Sequence, residues 1–318
     1  MFEFQNVITF QDRAIDVLTI GELLIDLIAA EYDDALEDTA YYRFFGGSPA
    51  NIAMNLRKLG INSQIAAAVG KDRLGDFLIQ RLQSVGIEPD LIEKVSESTS
   101  MVLLNKSKSS PIPIFYRSAD YQLTSTSKLE EAVRGSKILH FSCWPISMPP
   151  ARQMIETMIE VAAQHHIRVG FDPNYHPMLW PKDDDGVAYV KSMVGKVDFV
   201  KPSDDDAERL FGKDKPMNQV EKFLELGAKL VILTMGKDGA IASNGSETVT
   251  FQTLATEVAD TTGAGDAFWS GFYASLVKGN SVQESISLGF AVSAYKLRYT
   301  GAVVDLPSLE TIKGMYSV

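Results

Sequence analysis

Two short stretches of this 318-residue chain join glycines to a polar or acidic side chain at spacings that can do chemistry. One is Asp260-Thr261-Thr262-Gly263-Ala264-Gly265-Asp266. It precedes a run, Ala267 to Lys278, in which Phe268, Phe272 and Leu276 recur at four-residue steps, as on one face of a helix. Small residues where a helix begins leave backbone N–H groups open, and the helix dipole favours an anion there. Asp266 sets a carboxylate at the mouth of the same loop. An anion cradle beside a fixed carboxylate is what phosphoryl transfer to a hydroxyl needs. The spacing alone also suits a glycine turn capped by aspartate.

The other stretch is Gly46-Gly47-Ser48-Pro49-Ala50-Asn51. Two glycines let a ligand come close to the backbone. Ser48 reads as an N-cap and Pro49 as the first helical position of a helix over Asn51–Leu59 that Gly60 ends. Asn51 offers a donor and an acceptor from that first turn, as a sugar hydroxyl does. Asp26 ends the segment Gly21–Asp26, just past the first strand, where open α/β sheets place ligands. Alone, such a residue is more often a solvated loop acid; beside a Gly-Gly loop and a hydroxyl-activating carboxylate the balance reverses.

The elements that must position these residues alternate along the chain. Strand-like segments at Asp16–Ile20, Gln64–Val69, Arg168–Phe171, Val197–Val200 and Leu230–Thr234 are interleaved with helical ones at Asp76–Val85, Arg152–Gln164, Asp204–Phe211 and Gln219–Leu226. This order predicts an α/β fold, a doubly wound, mostly parallel sheet with helices on both faces. Ala40–Phe45 and Ser100–Tyr116 are β-rich without a following helix; the second holds a polar turn, Lys106–Pro111, and reads as a hairpin. Such strands suit a lid that keeps water from a reactive site, or an ordinary edge extension.

Composition narrows the partners. A net charge of −11 argues against nucleic acid or an anionic membrane, while leaving small anions open to backbone amides. No apolar stretch approaches the ~20 residues of a membrane helix. The N-terminus lacks the pattern of a signal peptide. The one cysteine, Cys143, lies in the apolar run Ile138 to Trp144 and reads as a buried, inert thiol. A cytoplasmic protein is expected. The four histidines form no metal pattern; His165 and His166 fall near a helix end.

Taken in order, these motifs resemble the ribokinase/PfkB family of carbohydrate kinases, and within it fructokinases most. The family's two signatures match Gly46–Asn51 and Asp260–Asp266, and further family-like stretches are Val69–Gly75, Phe171–Asn174 and Leu233–Gly239. The resemblance runs from about residue 16 to about residue 307. It implies a single Rossmann-like domain over 1–318 with a small β-sheet lid from about 22–46 and 98–120. It implies ATP and Mg²⁺ as cofactors. Asp266 would be the catalytic base, and Gly263, Ala264 and Gly265 the anion hole. Asp26, Gly46, Gly47, Asn51 and Arg117 would face the sugar, and Thr234, Gly236 and Lys237 the nucleotide. Asp260, Thr262 and Gly301 fall where many members hold a monovalent cation such as K⁺. Lid strands in this family often pair between subunits, which suggests a homodimer.

Two departures bear on the substrate. Many members carry Asn-x-x-Glu where this chain has Ser203-Asp204-Asp205-Asp206, so Asp206, with Ser203, would organise Mg²⁺ through water. The same acids read as the acidic first turn of a helix. Relatives acting on sugar acids, and many fructokinases, carry Arg where this chain has His176, and a neutral ring is a poor partner for a carboxylate. No cluster of Lys or Arg is evident to hold a substrate phosphate. The segments Phe171–Trp180 and Phe115–Asp120 resemble fructokinases more than ribokinases, and this resemblance implies D-fructose to fructose 6-phosphate as the expected reaction, with 2-keto-3-deoxygluconate and ribose as alternatives. A non-catalytic sugar-binding regulator would need a damaged base or anion hole, and both are whole. A nucleotide-dependent oxidoreductase would need Gly-x-Gly-x-x-Gly after the first strand, which is lacking.

Overall fold

Neighbouring residues of the central strands are buried in opposite directions. Val17, Ile138, Phe199, Leu230 and Ile232 join one apolar cluster, while Leu18, Leu139, Val200, Val231 and Leu233 join another. A strand that is apolar on both sides must be covered on both faces. The computed structural model, which describes residues 2–32, 40–106 and 113–318, has this layering.

The strands are β1 (Ile15–Ile20), β2 (Leu24–Tyr32), β3 (Tyr41–Gly46), β4 (Ser63–Gly70), β5 (Ile92–Val95), β6 (Met101–Lys106), β7 (Ile114–Tyr116), β8 (Ser136–Ser142), β9 (Arg168–Asp172), β10 (Phe199–Val200), β11 (Leu230–Thr234), β12 (Ala240–Ser243) and β13 (Thr248–Phe251). Nine of them form one sheet in the order β13-β12-β11-β10-β9-β8-β1-β4-β5, parallel from β5 to β11 and antiparallel over β12 and β13. The chain winds outward from β1 to β4 and β5, then resumes at β8 on β1's other side. Ligands of such sheets gather where the order reverses, beyond the carboxyl ends of the strands. The other four strands form a separate small sheet, β3-β2-β6-β7. The α/β architecture with a small β-sheet beside it is the one the alternation predicted.

The helices are α1 (Ser48–Lys58), α2 (Arg73–Gln83), α3 (Ser127–Arg134), α4 (Cys143–Ile146), α5 (Ala151–Gln164), α6 (Gly186–Val194), α7 (Asp204–Phe211), α8 (Pro216–Glu225), α9 (Ala264–Val277), α10 (Val282–Leu297) and α11 (Leu309–Tyr316). α1, α9 and α10 cover one face of the large sheet; α3 and α5 to α8 cover the other. α9 is buried on every side, with Phe268, Trp269, Phe272 and Tyr273 stacked along it. It can lie this deep because glycines let its neighbours approach: a Cβ on Gly271 would sit 2.6 Å from the Leu288 carbonyl oxygen of α10.

Several boundaries differ from the sequence expectation. α9 begins three residues earlier than predicted, because Gly263, at φ 74°, is its N-cap. Gly265 and Asp266 thus lie inside the first helical turn. α1 begins at Ser48, capped by Gly47 at φ 103°, so Ser48 is not the cap. Asp26 is not in a loop; it lies within β2 of the small sheet. The strand predicted over Val197–Val200 shrinks to β10, because the Asp198 carboxylate takes the Val169 N–H. β6 and β7 pair antiparallel as a hairpin should; positions 107–111 of its turn lie outside the described residues. β12 and β13, four residues each, carried no pattern long enough to be read.

The close packing of α9 on α10 is open to measurement. Gly271→Val should destabilise the fold by about 1–3 kcal/mol through overpacking, seen as a lower thermal midpoint. Gly314→Ala, on exposed α11 with nothing within 4 Å, should leave the midpoint unchanged or raise it. Equal midpoints for Gly271→Val and the unsubstituted chain would sink this account.

Candidate active site

The site assembles at the carboxyl ends of the strands. β1 runs into Gly21 and buried Glu22, β8 ends at Ser142, β9 at Asp172, β10 leads to Lys201, and β11 ends at Thr234. The amino-terminal ends of α1 and α9 point at one another across this edge. Asp266 in the first turn of α9 accepts Ser48 Oγ on Oδ1 at 2.6 Å and Asn51 Nδ2 on Oδ2 at 2.9 Å. Burial pushes the Asp266 carboxyl up to about 6, against the lowering effect of those two hydrogen bonds. Asn51 is buried, and its Oδ1 has no partner among the described residues. A buried acceptor without a partner is a place for a ligand donor.

Two further carboxyls lie close enough to feel the charge of Asp266. Glu22 Oε1 accepts the Ser48 N–H at 3.0 Å and Oε2 accepts Ser142 Oγ at 3.3 Å. Burial raises Glu22 to about 8. Asp26, reaching in from β2, is raised to about 7 by burial and then by the charge of Asp266. Gly46 and Gly47 are needed for this packing: a Cβ on Gly46 would overlap the Asp26 carboxylate, and one on Gly47 the Glu22 carbonyl. Gly46 therefore makes room for an acid of the protein itself, and Gly47 for the backbone at Glu22.

On the other side of Asp266 lies the anion loop. The N–H groups of Gly265 and Asp266 have no intrahelical partner, as the first turn of any helix requires. Lys201, buried, sits with Nζ 3.4 Å from where a Gly265 Cβ would be. It is held by Asp172 Oδ2 at 3.1 Å, which also accepts Trp269 Nε1 at 2.8 Å. Backbone donors and an ammonium thus converge where a phosphate oxygen would be stabilised. From this point a cavity of about 390 Å³ opens, walled by Leu254, Val258, Phe290 and Leu297 and floored by Thr234, Gly236 and Lys237. Ala264 and Gly265 line its inner end. Apolar walls leading to a phosphate-sized polar end suit a nucleotide.

Other expected site residues are differently employed. All five N–H groups of Arg117 are engaged, with Asp120, Ser147 Oγ and the carbonyls of Trp144 and Leu179, and its guanidinium lies 4.8 Å from the Trp144 ring centroid. It braces the small sheet instead of offering a free donor. Asp206 forms a capping box with Ser203, and its other oxygen accepts the Tyr175 N–H at 2.7 Å. The acid free to face the cavity is Asp204, on its wall. Asp260 accepts Thr262 N–H and Gly301 N–H on its two oxygens. No group of three or more acidic, His or Cys side chains suited to a metal occurs among the described residues. Mg²⁺ fits this site only as a partner of phosphate oxygens and water. Cys143 is buried, its thiol pushed up by burial. His176 packs on Phe115 of β7. Glu22 and Lys201 escaped the sequence reading, and Ser48 and Asp172 fell within its motifs without a site role; the one available signal was their position just after a strand or a glycine.

Comparison with known proteins agrees with this geometry. The profile described as pfkB family carbohydrate kinase matches residues 14–309. Over 318 residues, covering 100% of this chain and 99% of the other, the chain is 57% identical to an ATP-dependent 6-phosphofructokinase of Thermoanaerobacterium thermosaccharolyticum. The fructokinase of Halothermothrix orenii superposes with a TM-score of 0.78 at 40% identity, over 87% of this chain and 98% of that one. A fructokinase with bound ATP from Xylella fastidiosa, 23% identical, shares the fold with a TM-score of 0.82 over 95% and 99% of the two chains. No helix among the described residues is long and apolar enough to cross a membrane.

The crowded carboxyls have a cost that pH reveals. Asp26 is raised from 3.8 to about 7 in the folded chain, so ionising it opposes folding, and increasingly so as pH rises toward about 7. Asp26→Asn should therefore raise the thermal midpoint, by more at pH 8 than at pH 5. A gain that is absent, or larger at pH 5, would contradict the placement of this carboxyl.

Proposed function

This chain belongs to the pfkB family of carbohydrate kinases, and we propose that it transfers the γ-phosphate of ATP to D-fructose, giving fructose 6-phosphate and ADP. The observation that carries this reading is one juxtaposition. A buried carboxylate, Asp266, lies between an anion-binding helix start and two polar groups, Asp26 and the unpartnered Asn51 Oδ1, that suit hydroxyls. A neutral polyol supplies the donors those acceptors lack, whereas an anionic acceptor would meet three carboxyls.

In this mechanism the acceptor hydroxyl of the sugar donates to Asp266, whose orientation Ser48 and Asn51 fix. Asp26 and Asn51 hold neighbouring hydroxyls, so that the reacting oxygen is presented in line. The triphosphate enters along Thr234, Gly236 and Lys237, with its γ-phosphate at the N–H groups of Gly265 and Asp266 and the ammonium of Lys201. Negative charge that develops on the transferring group meets these donors already in place, with little reorganisation. As the new O–P bond forms, the hydroxyl proton passes to Asp266. Mg²⁺ bound to the phosphates would neutralise their charge, with Asp204 on the cavity wall and water completing its shell.

A second reading has one observation in its favour. The relative at 57% identity is named a 6-phosphofructokinase, and fructose 6-phosphate would be the acceptor if the activity is shared. Its phosphate would need a cation, and Arg117 is fully engaged. The homodimer expected through the small sheet has support in the exposed Tyr42, Ile114 and Tyr116; sedimentation velocity at micromolar concentration would expose a monomer.

A coupled assay of ADP release separates the acceptors. Fructose should exceed fructose 6-phosphate, ribose and 2-keto-3-deoxygluconate by about tenfold or more in kcat/KM. A preference for fructose 6-phosphate moves the reading to the second acceptor. Asp266→Asn should lower kcat by about 10²–10⁴ while sugar binding by calorimetry persists. Because Asp266 acts ionised and is raised to about 6, kcat/KM should fall as pH drops through that value. A flat profile from pH 5 to 8 would remove Asp266 as the base.

A further inference from the structure

The anion loop is tied from behind to the last two turns of α10. Ser293 Oγ donates to the Ala264 carbonyl at 3.0 Å, and the Leu297 carbonyl accepts the Ala259 N–H at 2.8 Å. Between them Lys296 donates Nζ to the Asp260 carbonyl at 2.7 Å. Lys296 is fully buried, where lysine is rare unless its charge has a partner. Burial lowers the pKa of its ammonium, and the charges of Asp260 and Asp266 oppose that effect.

This arrangement disagrees with a monovalent cation at Asp260, Thr262 and Gly301. Each Asp260 carboxylate oxygen already accepts one N–H, from Thr262 or Gly301, and the Asp260 carbonyl accepts an ammonium. The protein's own cation already stands at the loop that a solution cation would have to rigidify. An ammonium carries the same unit charge and hydrogen-bonds a carbonyl oxygen as a bound ion would coordinate it. We propose that Lys296 is a built-in monovalent cation, a positioning residue that fixes the anion loop and sets one positive charge behind it, so that turnover requires no K⁺. This rests on the kinase reading above.

The test uses the intact chain at constant ionic strength, with K⁺, Na⁺ or tetramethylammonium as the sole monovalent cation, including the counter-ion of ATP. At saturating sugar and MgATP, kcat and KM should agree among the three within about twofold, whereas activation by K⁺ of about tenfold or more overturns the proposal. The thermal midpoint without substrates should show no rise specific to K⁺; a specific rise also overturns it. Lys296→Met should lose about tenfold or more of kcat in tetramethylammonium, as expected for an electrostatic group near the reacting phosphate, and recover part of it in K⁺. Full activity of Lys296→Met in tetramethylammonium overturns the proposal. If that variant does not fold, the unsubstituted chain's response to cations decides. If no sugar elicits ADP, the kinase reading fails, while the midpoint still reports whether K⁺ binds.

Discussion

Everything at this site depends on keeping one carboxylate, Asp266, ionised while it is buried. Water cannot solvate it, so the protein must, and it does so with neutral donors and a helix start. Ser48 and Asn51 both come from the first turn of α1. The need to deliver them forces the amino-terminal ends of α1 and α9 to face each other. Both helices then begin at a glycine of positive φ, Gly47 and Gly263, which turns the chain sharply enough to bring the ends together. A Cβ on Gly263 would lie 2.7 Å from Ala302, so this turn is closed from behind as well.

The charges around Asp266 are sorted by side. Carboxyls, Glu22 and Asp26, lie toward the proposed acceptor; ammonium groups, Lys201 and Lys296, lie toward the loop. Each cation is held by an element of the core, Lys201 by Asp172 at the end of β9 and Lys296 by its place on α10. A donor that is already fixed need not be ordered as the reaction proceeds, which is how electrostatic stabilisation becomes differential. Burial opposes the ionisation of both carboxyls, and in the proposed mechanism Asp26 would serve as a polar, hydroxyl-binding group whatever its charge.

Such crowding lowers stability, and the fold offsets it through α9. The helix that carries Asp266 at one end carries Phe268, Trp269, Phe272 and Tyr273 through the deepest cluster of the molecule. Trp269 reaches back to Asp172, so the aromatic core and the Lys201 pair are joined by one hydrogen bond. Large buried apolar area anchors the start of the helix where the strain of the acids is greatest.

The sequence by itself determined the α/β architecture and both glycine loops, because these are written locally. Apolar period and small residues at helix starts act over a few positions, and a short window reveals them. The resemblance to a known family, carried by those loops, is what gathered Asp26, Asn51, Asp266 and the Thr234–Lys237 turn into one expected site. Tertiary structure alone decided what each polar group does there. Ser48 reads as a cap, but its hydroxyl serves Asp266, 218 residues away. Arg117 and Asp206 look like ligand groups, yet their bonds are spent on Asp120, Ser203 and Tyr175. Lys296 looks like any lysine near a helix end, yet its ammonium is buried against a carbonyl 36 residues earlier. Hydrogen-bond capacity is finite and is shared among groups remote in sequence, so no local spacing can say which donors and acceptors remain for a ligand.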